Sequence, residues 1–212
     1  MPNLPISQLP TGSALTGSEL FVMVQDSVTK QTTLNSIIYT QRNNYGLFNQ
    51  TGSSTPIANT TTESSLIGGG VGTLTVPANG FTKGDAYHAI VTGILSAQNN
   101  DNLRIRIKTG AVTLADTGNI NMAGATANGY KLEIYFSIHE VGAAGVADIV
   151  TAGTFMYTKE ASTAFEGINF NTLNSTTFNT TISNTLEVTA QWDTANVGNS
   201  IYSEIFTLNK TF

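Results

Sequence analysis

Tyr130-Lys131-Leu132-Glu133-Ile134-Tyr135-Phe136-Ser137-Ile138-His139 decides the fold class. Large apolar side chains stand at every even position from 130 to 138, and the residues between them are Lys, Glu, Tyr, Ser and His. Successive side chains of a strand point to opposite faces, so this stretch has one dry face and one wet face. The same alternation sets Leu103, Ile105 and Ile107 against Arg104, Arg106 and Lys108. It also sets Leu186, Val188, Ala190 and Trp192 against Glu187, Thr189 and Gln191. Strands dry on one side only belong to antiparallel sheets packed face to face as a sandwich.

On either side of these three, strand signals recur over residues 65–67, 72–76, 86–95, 154–158, 167–170, 177–182 and 201–208. Asn and Gly clusters at 98–102, 124–129 and 196–199 sit where hairpins should turn. No amphipathic helical pattern longer than about two turns interrupts them. Eight to ten strands in residues 46–212 fit a jelly roll better than an immunoglobulin sandwich, which uses fewer residues. The expected fold is therefore all-β, an antiparallel jelly-roll head preceded by a short extended and hairpin segment.

Composition agrees and excludes several functions. Thr (33), Asn (21) and Gly (20) supply about a third of the 212 residues, a mixture suited to polar strand faces and turns. Nine Lys and Arg against 14 Asp and Glu leave a net charge of -5, so no basic field exists to hold a nucleic-acid backbone. No run approaches about 18 apolar residues, which argues against membrane insertion. The absence of cysteine removes disulfides, thiolate nucleophiles and thiolate metal sites. With only 11% charged residues, little on the surface keeps copies apart, which favours assembly.

Residues 1–45 read differently. Leu4, Ile6 and Leu9 are spaced by Pro5 and Pro10, which favour an extended path. Residues 20–25 and 28–32 read as a hairpin closed by Asp26-Ser27, and Thr33 could cap a short helix through Leu34, Ile37, Ile38 and Tyr39. So small a unit buries too little area to offset chain entropy, so it must lean on a partner. Leu4, Ile6, Leu9, Leu20, Val22, Val24, Leu34 and Ile37 are its candidate anchoring residues. Arg42-Asn43-Asn44-Tyr45-Gly46 reads as the junction to the head. The start of the chain has neither the basic residues nor the apolar run of a secretion signal, so synthesis and retention in a cytoplasm are expected.

Signals for chemistry are sparse. His88 and His139 are the only histidines and neither has a second one three to five residues away. Gly68-Gly69-Gly70-Val71-Gly72 lacks the Lys-Ser/Thr of a phosphate loop and reads as a strand bend or a close backbone approach. Asp85, Asp101, Asp116 and Asp148 read as solvated turn residues, without the density of a calcium loop. Arg104, Arg106 and Lys108 could meet carboxylates of a neighbouring subunit or an anionic glycan, or could protect a sheet edge. No enzymatic activity and no cofactor or metal are expected.

The leader carries a resemblance. Ile6-Ser7-Gln8-Leu9-Pro10, Ala14-Leu15-Thr16-Gly17-Ser18-Glu19-Leu20, Val24-Gln25-Asp26-Ser27-Val28-Thr29-Lys30 and Thr32-Thr33-Leu34 together resemble the N-terminal module of bacteriophage tail-fibre and related virion appendage proteins. The family pattern has Gly where Ser27 stands. Short segments of the head, such as Leu74-Thr75-Val76-Pro77-Ala78-Asn79, are similar to β-sandwich domains of virion proteins. The resemblance implies a homotrimeric, non-enzymatic virion component, made in the host cytoplasm, with residues 1–45 docked on other virion proteins and residues 46–212 exposed for host attachment.

Two other readings compete. One is a capsid decoration protein that stabilises the shell. The other is a carbohydrate-binding or carbohydrate-hydrolysing sandwich with Trp192, Tyr135 and Tyr157 as sugar platforms. For a host glycan or receptor, the loop tips near Asn99, Asn128 and Asn196 are the candidate contacts, because rigid sandwiches bind through their loops.

Overall fold

A computed structural model describes residues 20–25, 27–33, 46–160 and 163–212. The chain divides into two compact units, Met1–Asn43 and Asn44–Phe212. In the first, β1 (Leu20–Gln25) and β2 (Val28–Thr33) form an antiparallel ribbon whose register runs from Leu20 opposite Thr33 to Gln25 opposite Val28. Ser27 turns the chain at φ 61°, the left-handed conformation that glycine adopts without a Cβ penalty. The helical segment expected after Thr33 lies outside the described residues.

The second unit is an all-β antiparallel sandwich. Its long strands are β3 (Gly46–Gln50), β8 (Ala86–Ala97), β9 (Asn102–Thr109), β10 (Val112–Asp116), β12 (Ala125–Glu140), β13 (Asp148–Thr158), β14 (Phe165–Asn174), β15 (Asn184–Trp192) and β16 (Ser200–Lys210). Between them run the short strands β4 (Ile57–Ala58), β5 (Ser64–Ser65), β6 (Gly70–Gly72), β7 (Thr75–Val76) and β11 (Ile120–Asn121). The larger sheet has the order β14-β13-β12-β8-β16-β3-β6, with β4 also on β16. The smaller has the order β10-β9-β15-β5, with β11 on β9 and β7 on β15.

The winding is that of a rolled hairpin. β8 lies beside β16 in one sheet while β9 lies beside β15 in the other, so the chain changes sheets at both the β8–β9 and β15–β16 turns. The next pair, β10 and β14, are edges of opposite sheets, tied where Asn174 Nδ2 donates to the Thr113 carbonyl at 3.0 Å. The β12–β14 meander widens the larger sheet on its β8 side.

Alternation places the core as the sequence implies. Leu103, Ile105 and Ile107 of β9 and Val188, Ala190 and Trp192 of β15 meet Val91, Leu95, Leu132, Ile134, Phe155 and Phe206 of the facing sheet in one buried cluster. Trp192 Nε1 donates to the Ile57 carbonyl at 3.1 Å, so the largest buried ring leaves no polar atom unpaired.

Two expectations are corrected. Residues 177–182 are turns, not a strand. The Asn174 side-chain oxygen accepts from the amides of Thr176, Thr177 and Phe178, and Asn179 accepts from Thr181, so Asn side chains supply the bonds a neighbouring strand would have supplied. Asp85 is not a solvated turn residue. It is buried, with Lys210 Nζ at 2.7 Å and with the Thr82 amide and the Tyr87 hydroxyl donating to its other oxygen.

Candidate functional site

The ribbon β1–β2 shows apolar side chains on both faces. Leu20, Phe21, Val22 and Val28 are exposed, Val22 at 78%. Among the described residues no second layer covers them, and a two-stranded ribbon alone is marginal in water. Of the candidate anchoring residues, Leu20, Val22 and Val24 lie in β1. Leu4, Ile6, Leu9, Leu34 and Ile37 lie outside the described residues.

Asn99, Asn128 and Asn196 all belong to one end of the sandwich, where β8 and β15 finish and β12 and β16 begin. Asn99 is exposed in the β8–β9 turn. Asn196 lies in the β15–β16 turn, but its side-chain oxygen accepts from the Gly198 amide at 2.9 Å and so shapes that turn. Asn128 is not a loop tip: it lies in β12 beside a bulge against β8, and its Nδ2 donates to the Thr158 carbonyl at 2.8 Å. The residue that joins these loops is Asn199, fully buried, which accepts from the Gln98 amide and donates to Asp101, both at 2.8 Å. Its place in an Asn-rich turn gave no signal of that role.

On the outer face of the smaller sheet the basic stripe is neutralised within the chain. Arg104 grips Asp116 through Nε at 2.8 Å and Nη2 at 2.5 Å, while Arg106 reaches Glu63 at 2.8 Å and Gln191 at 2.9 Å. Lys108 lies 3.2 Å from Glu63, which also accepts from the Thr189 hydroxyl at 2.7 Å. Burial alone would raise the Glu63 pKa, but the bonds from Thr189 and Lys108 and the Arg106 charge bring it below the usual value. The Arg104 hydrogen bonds lower Asp116 likewise. The stripe runs along β9, an interior strand, so it guards no edge, and its carboxylate partners are the chain's own.

The outer face of the larger sheet carries a different group. Tyr135 and His88 are directly opposite each other on β12 and β8, and their rings stack with centroids 4.5 Å apart and planes 12° from parallel. Both reach Glu133: the Tyr135 hydroxyl donates at 2.7 Å and His88 Nε2 lies 3.0 Å away. Lys131 Nζ lies 2.6 Å from the second carboxylate oxygen. Hydrogen bonds from Lys131 and Tyr135 outweigh the opposing desolvation and hold the Glu133 pKa down at about 2. Of the three aromatic platforms considered, Trp192 and Tyr157 are buried and Tyr135 is 51% exposed.

A groove of about 510 Å³ is lined by Phe48, Ile67, Leu74 and Leu186, and Glu187 is the one ionisable residue along it. Among the described residues no group of three or more His, Cys, Asp or Glu gathers to hold a metal ion. Compared with protein-family models, with curated proteins and with solved structures, the chain matches none.

Proposed function

We propose that this chain is a non-enzymatic virion component, a short homotrimeric fibre or spike whose residues 1–45 anchor it to other virion proteins and whose sandwich head is presented for host attachment. The trimer and the virion come from the resemblance of the leader. The observation that supports the reading is the ribbon: Leu20, Phe21, Val22 and Val28 are exposed on a two-stranded element that no other described residue covers. Burying such side chains is favourable by about 1.5–3 kcal/mol each, which sister copies and a docking surface would supply. The head has a buried core of its own. Three heads on one stalk raise a weak surface contact through effective concentration.

Light scattering of the purified chain tests this. The expected mass is three times 22.4 kDa, and a stable monomer overturns the reading. Removing residues 1–45 should leave a folded head that no longer joins the particle. Antibody labelling on capsid faces, rather than on an appendage, would instead favour shell decoration.

A further inference from the structure

The geometry points to a neutral saccharide site on the outer face of the larger sheet, with the free face of Tyr135 as its platform. The inference rests on the attachment role proposed above and names the ligand class that the head would take.

The site is built by register. Tyr135 has His88 opposite it on one neighbouring strand and Ala152 opposite it on the other. Because the two rings stack face to face, His88 covers one face of Tyr135 and the other looks over β13. There the floor is Ala152 and, opposite Glu133, Thr154, both too small to fill the space above them. The far wall is β14, where Asn171 is opposite Ala152 and Asn169 opposite Thr154. Strands β12 and β14 are two spacings apart, about 10 Å, which admits one pyranose ring between the phenol and the amides.

The chemistry of the walls selects the ligand. Tyr135 cannot swing away, because its hydroxyl is bonded to Glu133 and its covered face to His88, so the platform is organised before binding. Thr154 donates to the Asn169 side-chain oxygen at 2.8 Å, which turns the Asn169 amide nitrogen outward as a donor. Among the described residues the exposed Asn171 amide has no partner and offers both a donor and an acceptor. Glu133 is already met by Lys131 and His88, so no uncompensated charge faces the notch. An apolar aromatic face opposite unpaired amides, without net charge, fits the C–H face and hydroxyl edge of a sugar better than an anion, a cation or an apolar peptide.

The test uses the full chain and three probes: the methyl glycosides of glucose, galactose and mannose, each examined by saturation-transfer NMR. Transfer to the ring C–H protons of at least one is expected, weakened about tenfold in Tyr135→Ala, the equivalent of one aromatic stack. Asn171→Ala should weaken it too, while Trp192 fluorescence of both variants stays that of the folded head. Silence of all three probes, or transfer that survives Tyr135→Ala unchanged, overturns the inference. The mass of the same sample separates the two proposals. A trimer that binds no glycoside fails only the site, and a monomer that binds at Tyr135 fails only the fibre.

Discussion

Gln50 and Ser203, 153 residues apart, hold each other by two hydrogen bonds inside the head. Gln50 Nε2 donates to the Ser203 carbonyl at 3.1 Å, and the single proton of the Ser203 hydroxyl is shared between Gln50 Oε1 at 2.9 Å and the Leu66 carbonyl at 2.5 Å. Gln50 Oε1 also accepts from the Gly68 amide at 3.0 Å, and the Ser203 amide donates to the Ser54 hydroxyl at 2.9 Å. The pair therefore fastens the first strand of the head and the loops after it to the last strand. Gln50→Ala leaves the half-buried Gly68 amide without its acceptor and takes from the Ser203 carbonyl one of its two donors, the Ser54 amide remaining, so it should cost about 1–3 kcal/mol. Ser203→Ala leaves Gln50 its other partners but takes the hydroxyl donor from the buried Leu66 carbonyl, and it too should cost about 1–3 kcal/mol. Urea unfolding followed by Trp192 emission reads both losses, and a variant as stable as the parent would contradict this account.

Acid should weaken the head through its outer-face carboxylates. Glu133 has a folded-state pKa of about 2 against an ordinary 4.5, and Glu63 and Asp116 are also lowered. A depressed folded-state pKa means that the stabilisation is present above the unfolded value and is lost as pH falls through the folded one. For Glu133 the window runs from about pH 4.5 down to about pH 2. The free energy of unfolding should fall across it, and Glu133→Gln should flatten part of the fall. An identical slope in that variant would show that the cluster with Lys131, Tyr135 and His88 contributes nothing to the pH dependence.

These clusters also show what was legible beforehand. Period-two alternation placed β9, β12 and β15 and told their wet faces from their dry ones. The stripe of Arg104, Arg106 and Lys108 was visible for the same reason, but its partner Glu63 comes from the segment before β5, far along the chain. The His88–Tyr135–Glu133 group was hidden for a related reason: alternation gives the face of a residue, whereas its cross-strand neighbour depends on register. Strands β4 to β7 are two or three residues long, defined by the neighbour they pair with rather than by a pattern of their own. Residues 177–182, rich in Thr, Phe and Ile, looked like a strand because propensity does not count the bonds that Asn174 and Asn179 offer to the backbone.

Trp192 is the single tryptophan and is fully buried, so its emission should be blue-shifted in the folded chain and red-shifted on unfolding. Trp192→Phe removes the donor to the Ile57 carbonyl and leaves a gap in the core. Losing that bond should cost about 1–3 kcal/mol, with a further loss from the gap. Thermal unfolding by circular dichroism reads the loss. A variant as stable as the parent would mean that Ile57 finds water in place of the indole.

Two glycines of the larger sheet should respond oppositely to Ala. A Cβ on Gly93, in β8, would run into the Tyr202 carbonyl of β16, while one on Gly129, in β12, meets nothing. Gly93→Ala should therefore force the central β8–β16 pair apart and cost about 1–3 kcal/mol or more, and Gly129→Ala should be near neutral. Thermal melts of the two variants side by side check the contrast.

Ser27 offers a change of the opposite sign, in the ribbon. It turns the β1–β2 hairpin at φ 61°, where an L side chain is strained by about 1–2 kcal/mol and glycine is not. Against this, glycine loses more backbone freedom on folding, so the net gain from Ser27→Gly should be smaller, about 0.5–1 kcal/mol. Because β1 and β2 pair over six residues and no other described residue covers them, a gain of that size is a large part of the ribbon's stability. Amide hydrogen exchange in the full chain should slow by about two- to fivefold at Val28 and Lys30, which stand in the hydrogen-bonded pairs of the ribbon, with no change in β9 or β15. Exchange that quickens at those two amides would show that the Ser27 side chain contributes more to the turn than its strain takes away.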